Sequence, residues 1–142
     1  MLKDRPKRGT YSPGEYYYYN NWDFNVLGAI LEQETGKTIY DFFYDEIAKP
    51  IGMLDYNGEN ISIDGEAEDY KIPETDSYYK FEKSQSNYPA YHFRMSTRDL
   101  ALYGQLYVNY GVWNGKQILS AYNYDWDHRN YHQDHLFLAL ES

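Results

Sequence analysis

Two apolar stretches at helical spacing follow one another almost without a gap, and this constrains the fold more than any other feature. In the first, Phe24, Leu27, Ile30 and Leu31 fall on one stripe, which predicts a helix from Asp23 to about Thr35. Gly36 supplies its stop, because a residue without Cβ takes a positive φ at no steric cost. The second stretch begins at once. Thr38 and Asp41 form a capping-box-like pair, with the carboxylate near the positive end of the helix. Ile39, Phe42, Phe43 and Ile47 are expected to make its buried face, and Pro50 to stop it after about residue 48. "PIGM", Pro50 to Met53, then reads as a short docking turn.

Downstream the pattern changes. Between Glu59 and Asp76 there are seven acids against one lysine, Lys71, so residues 57–90 read as an acidic, solvated loop region with short strands. A calcium loop fails on pattern, since Asp64 is followed directly by Gly65 without alternating ligands. Ser96 and Asp99 open a third helix, about 97–110, with Leu100, Tyr103, Leu106, Tyr107 and Tyr110 as its stripe and Gly111 at its end. "VWNGKQIL" predicts a hairpin over about 112–119, because Asn114-Gly115 suits a two-residue type I′ turn. No clear period follows Ser120.

Composition narrows the function classes. A net charge of −9 argues against nucleic-acid binding, which needs clustered Lys and Arg. No apolar run reaches the roughly 18–20 residues of a membrane helix. The basic "MLKDRPKRG" is not followed by the apolar region of a signal peptide, so compartment stays open. Without cysteine there are no disulfides and no thiolate metal sites. The 19 tyrosines suit half-buried positions and binding surfaces alike.

Four short patterns are candidates for chemistry. Gly36-Lys37-Thr38 lacks the earlier glycine of a phosphate loop, since Leu31 stands there, and it follows a helix rather than a strand. His128, His132 and His135 could meet on one helical face around a metal, but Arg129 replaces the glutamate of H-E-x-x-H, so a polar tail is the better account. Ser77-Tyr78-Tyr79-Lys80 matches Ser-x-x-Lys. That pair works one helical turn apart at a buried helix start, and "PETDSYYKFEK" is loop-like. Last, Tyr19-Asn20-Asn21 is a Tyr-x-Asn set immediately before a helix. Its plain structural account is Asn21 as an N-cap with tyrosines around it.

The wider context favours chemistry at that last pattern. Pro13-Gly14, Tyr19-Asn20-Asn21, Leu27-Gly28, Thr35-Gly36 and Pro50-Ile51-Gly52-Met53 stand in an order and spacing that resembles the serine β-lactamase and penicillin-binding-protein-like hydrolases. The nearest branch is that of class C β-lactamases, D,D-peptidases and esterases. "FRMSTRDLALYGQLYVNYGVWNGKQIL", Phe93 to Leu119, is similar to the same family's Ser-Thr-x-x-Asp-Leu helix and following Asn-Gly-Lys hairpin. The resemblance covers roughly residues 5–120 and fades after Leu119.

The resemblance implies an α+β, mainly helical fold, matching the helical lobe and adjoining segment of the β-lactamase/transpeptidase-like fold and incomplete. Residues 1–119 would be a partial domain and 120–142 a divergent tail. Tyr19 would be the catalytic acid/base tyrosine and Asn21 the amide that orients substrate. A phenol can shuttle a proton if a nearby cation lowers its pKa from about 10. An asparagine amide can both donate to and accept from an amide substrate. The reaction would be acyl transfer through a serine ester to hydrolyse an amide, ester or β-lactam-like small molecule, with no metal or organic cofactor implied. Relatives are often exported.

The family's Ser-x-x-Lys nucleophile lies upstream of its tyrosine motif, yet none occurs in the eighteen residues before Tyr19, and Ser77 lies on the wrong side. The family's Lys-Thr-Gly or His-x-Gly motif is not found either. The chain is therefore expected to be the middle of a longer enzyme and inactive alone, with Met1 internal and the tail after about Ser120 foreign sequence. The other expectation is a non-enzymatic orphan helical lobe, a binding or structural module that self-associates through exposed apolar surface.

Overall fold

The computed structural model describes residues 7, 9–12, 15, 16 and 19–120. Helix α1 spans Asn21–Thr35, two residues earlier than its apolar stripe predicts. Its C-cap is Gly36, at φ 66°, whose N–H donates to the Glu32 carbonyl at 2.9 Å. Helix α2 (Ile39–Phe43) follows immediately. Thr38 caps it as the sequence suggests. Its hydroxyl accepts from the Asp41 N–H (3.0 Å) and donates to the Asp41 carboxylate (2.7 Å).

Pro50 does not stop this helix. The chain instead widens into a π-helical turn, Tyr44–Ala48, in which the Lys49 N–H reaches back to the Tyr44 carbonyl. Helix α3 (Lys49–Ile51) then continues to Gly52, at φ 79°. A proline inside a regular helix lacks a donor and strikes the carbonyl one turn back. The wide turn places Pro50 at the start of a fresh segment, where its missing N–H costs nothing. The inward face also differs from the expected one, both before and after the wide turn. Tyr40, Ala48 and Ile51 are buried, while Ile39, Phe42, Phe43 and Ile47, expected to make that face, are half-buried.

The acidic region holds more order than its composition suggests. Strands β1 (Asn60–Asp64), β2 (Ser77–Phe81) and β3 (Ala90–Phe93) form a sheet in that order. β1 and β2 run parallel, with Asn60 opposite Ser77, and residues 65–76 make the crossover without a helix. β2 and β3 run antiparallel, with Ser77 opposite Phe93. Helix α4 (Thr97–Val108) follows, capped by Ser96, whose hydroxyl accepts from the Asp99 N–H at 3.2 Å. It ends before Tyr110, which sits at φ 53° and is exposed, so Tyr110 does not extend the buried stripe. Strands β4 (Val112–Trp113) and β5 (Lys116–Gln117) close the hairpin. Both turn residues have positive φ, 48° at Asn114 and 76° at Gly115, as a type I′ turn requires.

The result is an α+β fold in which short helices and a small sheet share one core. Ala48, Ile51, Met53, Tyr56 and Leu106 are its buried centre, with Phe43, Phe93 and Trp113 packed around them. Tyr40 links helix to sheet. Its ring meets Tyr79 and Phe93 at 4.9 and 5.0 Å between centroids, and its hydroxyl donates to the Tyr78 carbonyl at 2.6 Å. Helix α1 rests on β3 through Gly28, where an added Cβ would stand 2.2 Å from the Tyr91 ring. A second tie comes from Glu32, whose carboxylate accepts from the Tyr79 hydroxyl (2.6 Å) and the Ile39 N–H (2.9 Å). The rest of α1 is lightly covered: Phe24, Leu27 and Ile30 are 46%, 60% and 50% exposed.

Candidate active site

Tyr19, Asn20 and Asn21 occupy the mouth of α1 in three different settings. Asn20 is the N-cap, in extended conformation at φ −151° and ψ 116°. Its side-chain oxygen accepts from the Trp22 N–H at 3.2 Å, satisfying one donor that the first turn leaves open. Its side-chain nitrogen donates to the Asp23 carboxylate, also at 3.2 Å. Asn21, which the plain structural account would make the cap, is instead the first helical residue and is exposed. Its amide is thereby left out of capping. Tyr19 is 43% exposed, its ring tilted against Phe24 at 5.6 Å between centroids. The phenol and the amide that the sequence singles out therefore flank a single capping residue, both at the surface.

The other short patterns resolve structurally. Ser77 and Lys80 lie on strand β2, not on a helix. Three residues apart on a strand, they point to opposite faces. Ser77 is fully buried with its hydroxyl 3.1 Å from the Tyr56 hydroxyl, and Lys80 pairs with Glu82 at 3.0 Å. Lys37 is used in an ion pair with Asp45 at 2.6 Å, beyond the left-handed Gly36. His128, His132 and His135 lie outside the described residues. Among the described residues no group of three or more His, Asp or Glu side chains could hold a metal ion, and no helix is long and apolar enough to cross a membrane.

The remaining tyrosines divide by environment. Burial pushes Tyr40 and Tyr79 well above the usual phenol range, and for Tyr79 the hydrogen bond to Glu32 adds to the rise. Burial also pushes Tyr56 and Tyr91 up to about 12 each. A proton shuttle needs a phenol whose pKa moves toward neutrality, so this buried and half-buried group serves packing and, at Tyr40, Tyr56 and Tyr79, hydrogen bonding.

The least legible residue is Asp99. The sequence offers it as a capping partner of Ser96 and as part of the family's helix pattern, with no sign that it is buried. In the fold it is fully buried, and its carboxylate accepts from three backbone N–H groups, of Leu54 (3.1 Å), Asp55 (2.9 Å) and Tyr56 (2.8 Å). It thus pins the segment leaving α3 onto α4. An aspartate at the third helical position signals a cap, and nothing local signals burial. Asp55, on that pinned segment, accepts from the Ser96 hydroxyl (2.5 Å) and pairs with Arg98 (2.6 Å). Those contacts hold its carboxyl below the usual range, the Ser96 bond foremost.

A family model described as Beta-lactamase matches residues 4–135, nearly the whole chain. The chain belongs to the beta-lactamase family. The match runs past Leu119, where the recognisable motifs fade. Among curated relatives, a D-aminopeptidase of Cereibacter sphaeroides is 41% identical over 49 residues, covering 34% of this chain and 10% of the relative. A D-aminopeptidase of Brucella anthropi is 37% identical over 52 residues, covering 37% of this chain and 10% of the relative. The alignments thus span about a tenth of these relatives. No solved structure gives a significant match.

Proposed function

We propose that this chain carries the tyrosine–asparagine part of a serine acyl-transfer site acting on amide or ester bonds. Tyr19 is the general acid/base and Asn21 the group that orients the substrate amide. The observation that carries this reading is the division of labour at α1: Asn20 does the capping, and Tyr19 and Asn21 flank it at the surface. The name D-aminopeptidase borne by the relatives favours, within amides and esters, the amide bonds of D-amino-acid peptides. Chemically, a serine supplied by another segment attacks the carbonyl, Tyr19 moves the proton toward the leaving amine, and water then cleaves the ester. The isolated 142-residue chain is inactive, because no Ser-x-x-Lys precedes Tyr19 within it.

Two measurements test this. A penicillin or fluorophosphonate probe should leave the pure chain unlabelled, and covalent labelling would overturn the assignment of the nucleophile to another segment. In a reading frame extended upstream to include a Ser-x-x-Lys, Tyr19→Phe should lower hydrolysis by about a hundredfold or more, the usual range for a lost acid/base group. An extended frame without such a motif, or a fully active Tyr19→Phe enzyme, would sink the reading.

A second reading is favoured by the uncovered face of α1, with Phe24, Leu27 and Ile30 half or nearly half exposed. Here the chain is a non-enzymatic lobe that associates through this face, with itself or with a partner domain. Sizing chromatography with an apolar dye tests it. Association with dye binding supports the lobe, and a clean monomer without dye binding defeats it.

A further inference from the structure

Asn20 sits between the two groups assigned to the acyl-transfer site, and its contacts do more than fill a gap. Its backbone is extended, while the next residue is already helical. Its side-chain oxygen takes the Trp22 N–H, its side-chain nitrogen gives to Asp23, and its carbonyl accepts the Asp23 N–H at 3.1 Å. Both ends of the amide are thus engaged, which fixes its rotamer and the direction in which the chain turns from strand-like to helical. Tyr19 leaves that corner on one side and Asn21 on the other.

We propose that Asn20 is a positioning residue: its side chain locks the corner that sets the spacing between the Tyr19 phenol and the Asn21 amide. The proposal rests on the acyl-transfer reading of those two groups. A proton shuttle and an orienting amide act on one substrate only when held together, and displacement by about 1 Å can cost two orders of magnitude in rate. An uncapped first turn frays and gives up that geometry. Serine at this place would keep an acceptor for the Trp22 N–H, whereas alanine would keep none.

The test uses the full chain, isotopically labelled, with NMR signals of the Tyr19 ring and Asn21 side-chain amide identified through Tyr19→Phe and Asn21→Asp variants. In Asn20→Ala, exchange of the Trp22 amide should quicken by about fivefold, as loss of an average cap implies. The Tyr19 and Asn21 side-chain signals should shift with it. In Asn20→Ser all three should return toward the parent. Unmoved Tyr19 and Asn21 signals in a folded Asn20→Ala chain would make Asn20 a plain cap and overturn the proposal. So would a serine variant that behaves like alanine. Because the readout involves no turnover, its failure leaves the acyl-transfer assignment standing. Failure of the Tyr19→Phe activity test would in turn leave the measured cap intact.

Discussion

Helices α1 and α4 are each opened by a polar cap and carry an aspartate in the first turn, Asp23 in one and Asp99 in the other. In α1 the aspartate is exposed and serves its own cap, accepting from Asn20. In α4 it is fully buried and holds three backbone N–H groups of a segment more than forty residues away in sequence. α1 buries a single residue, Gly28, and leaves Phe24, Leu27 and Ile30 largely uncovered, whereas α4 sends Leu106 into the centre of the core. The same local grammar of cap and acid therefore serves two ends. One helix binds the fold together, and the other presents its mouth and one face outward.

The largest effect should come from the buried acid. Asp99→Ala strands three amide donors, at a cost of about 3 kcal/mol or more, since each buried unsatisfied donor costs roughly 1–3 kcal/mol. Asp23→Ala should cost only about 0.5 kcal/mol, the scale of an exposed helix-end charge. Urea denaturation of both variants measures the contrast, and equal losses would abolish the distinction between the helices. Leu106→Ala should cost about 2–5 kcal/mol as a core truncation. Leu27→Ala, on the open face, should stay within about 0.5 kcal/mol, read from the same urea curves.

A smaller effect is expected where α1 does touch the fold. Gly28→Ala would gain up to about 1 kcal/mol in helix propensity if space allowed. The Tyr91 ring denies the space, so net destabilisation of about 1–3 kcal/mol is expected, as for an overpacked contact. A more stable Gly28→Ala chain would show that α1 does not rest on β3 as described. The double variant with Tyr91→Ala should lose this penalty, and thermal melts would report it.

The mildest test is pH. The buried and half-buried tyrosines keep their protons to higher pH than unfolded ones, with Tyr56 and Tyr91 at about 12 and unfolded tyrosine at about 10. Above the unfolded value the unfolded chain binds fewer protons than the folded one, so stability falls as pH rises. Their contribution is therefore whole below about pH 10 and is lost on the way to pH 12. The late part of the tyrosine absorbance change, beyond that of the exposed tyrosines, should coincide with loss of helix by circular dichroism. Full ionisation by pH 11 with helices intact would contradict the burial of this cluster.

Local chemistry in the sequence accounts for much of this architecture. Thr38, Ser96, Gly36 and Asn114-Gly115 act where the turn and cap rules place them, because those rules depend only on neighbouring residues. Tyr19 and Asn21 are marked by their setting before a helix and by the family pattern, though the cap falls on Asn20, one residue earlier than the plain account gives. The parallel pairing of β1 with β2 is not legible: "NISID" alternates polar and apolar residues as a strand can, but nothing in it marks β2 as a parallel partner, and in the fold Ile61 is exposed. The burial of Asp99 is equally silent, because its partners are backbone groups brought close only by the fold. Pro50 misleads for a different reason. The rule that proline ends a helix holds for regular turns, and this chain meets it with a wider one.

That wider turn has a consequence for how the chain tolerates change in length. Tyr44–Ala48 takes up one residue more than a regular turn while keeping the axis running from α2 into α3. It is in effect a one-residue insertion already absorbed. Removing one residue there would let the wide turn close to a regular one, so Ala48 and Ile51 would still face Leu106. The same step would return Pro50 to a regular helical position, where its ring meets the carbonyl one turn back. The extra residue thus serves the proline, and the length of this turn is set by it.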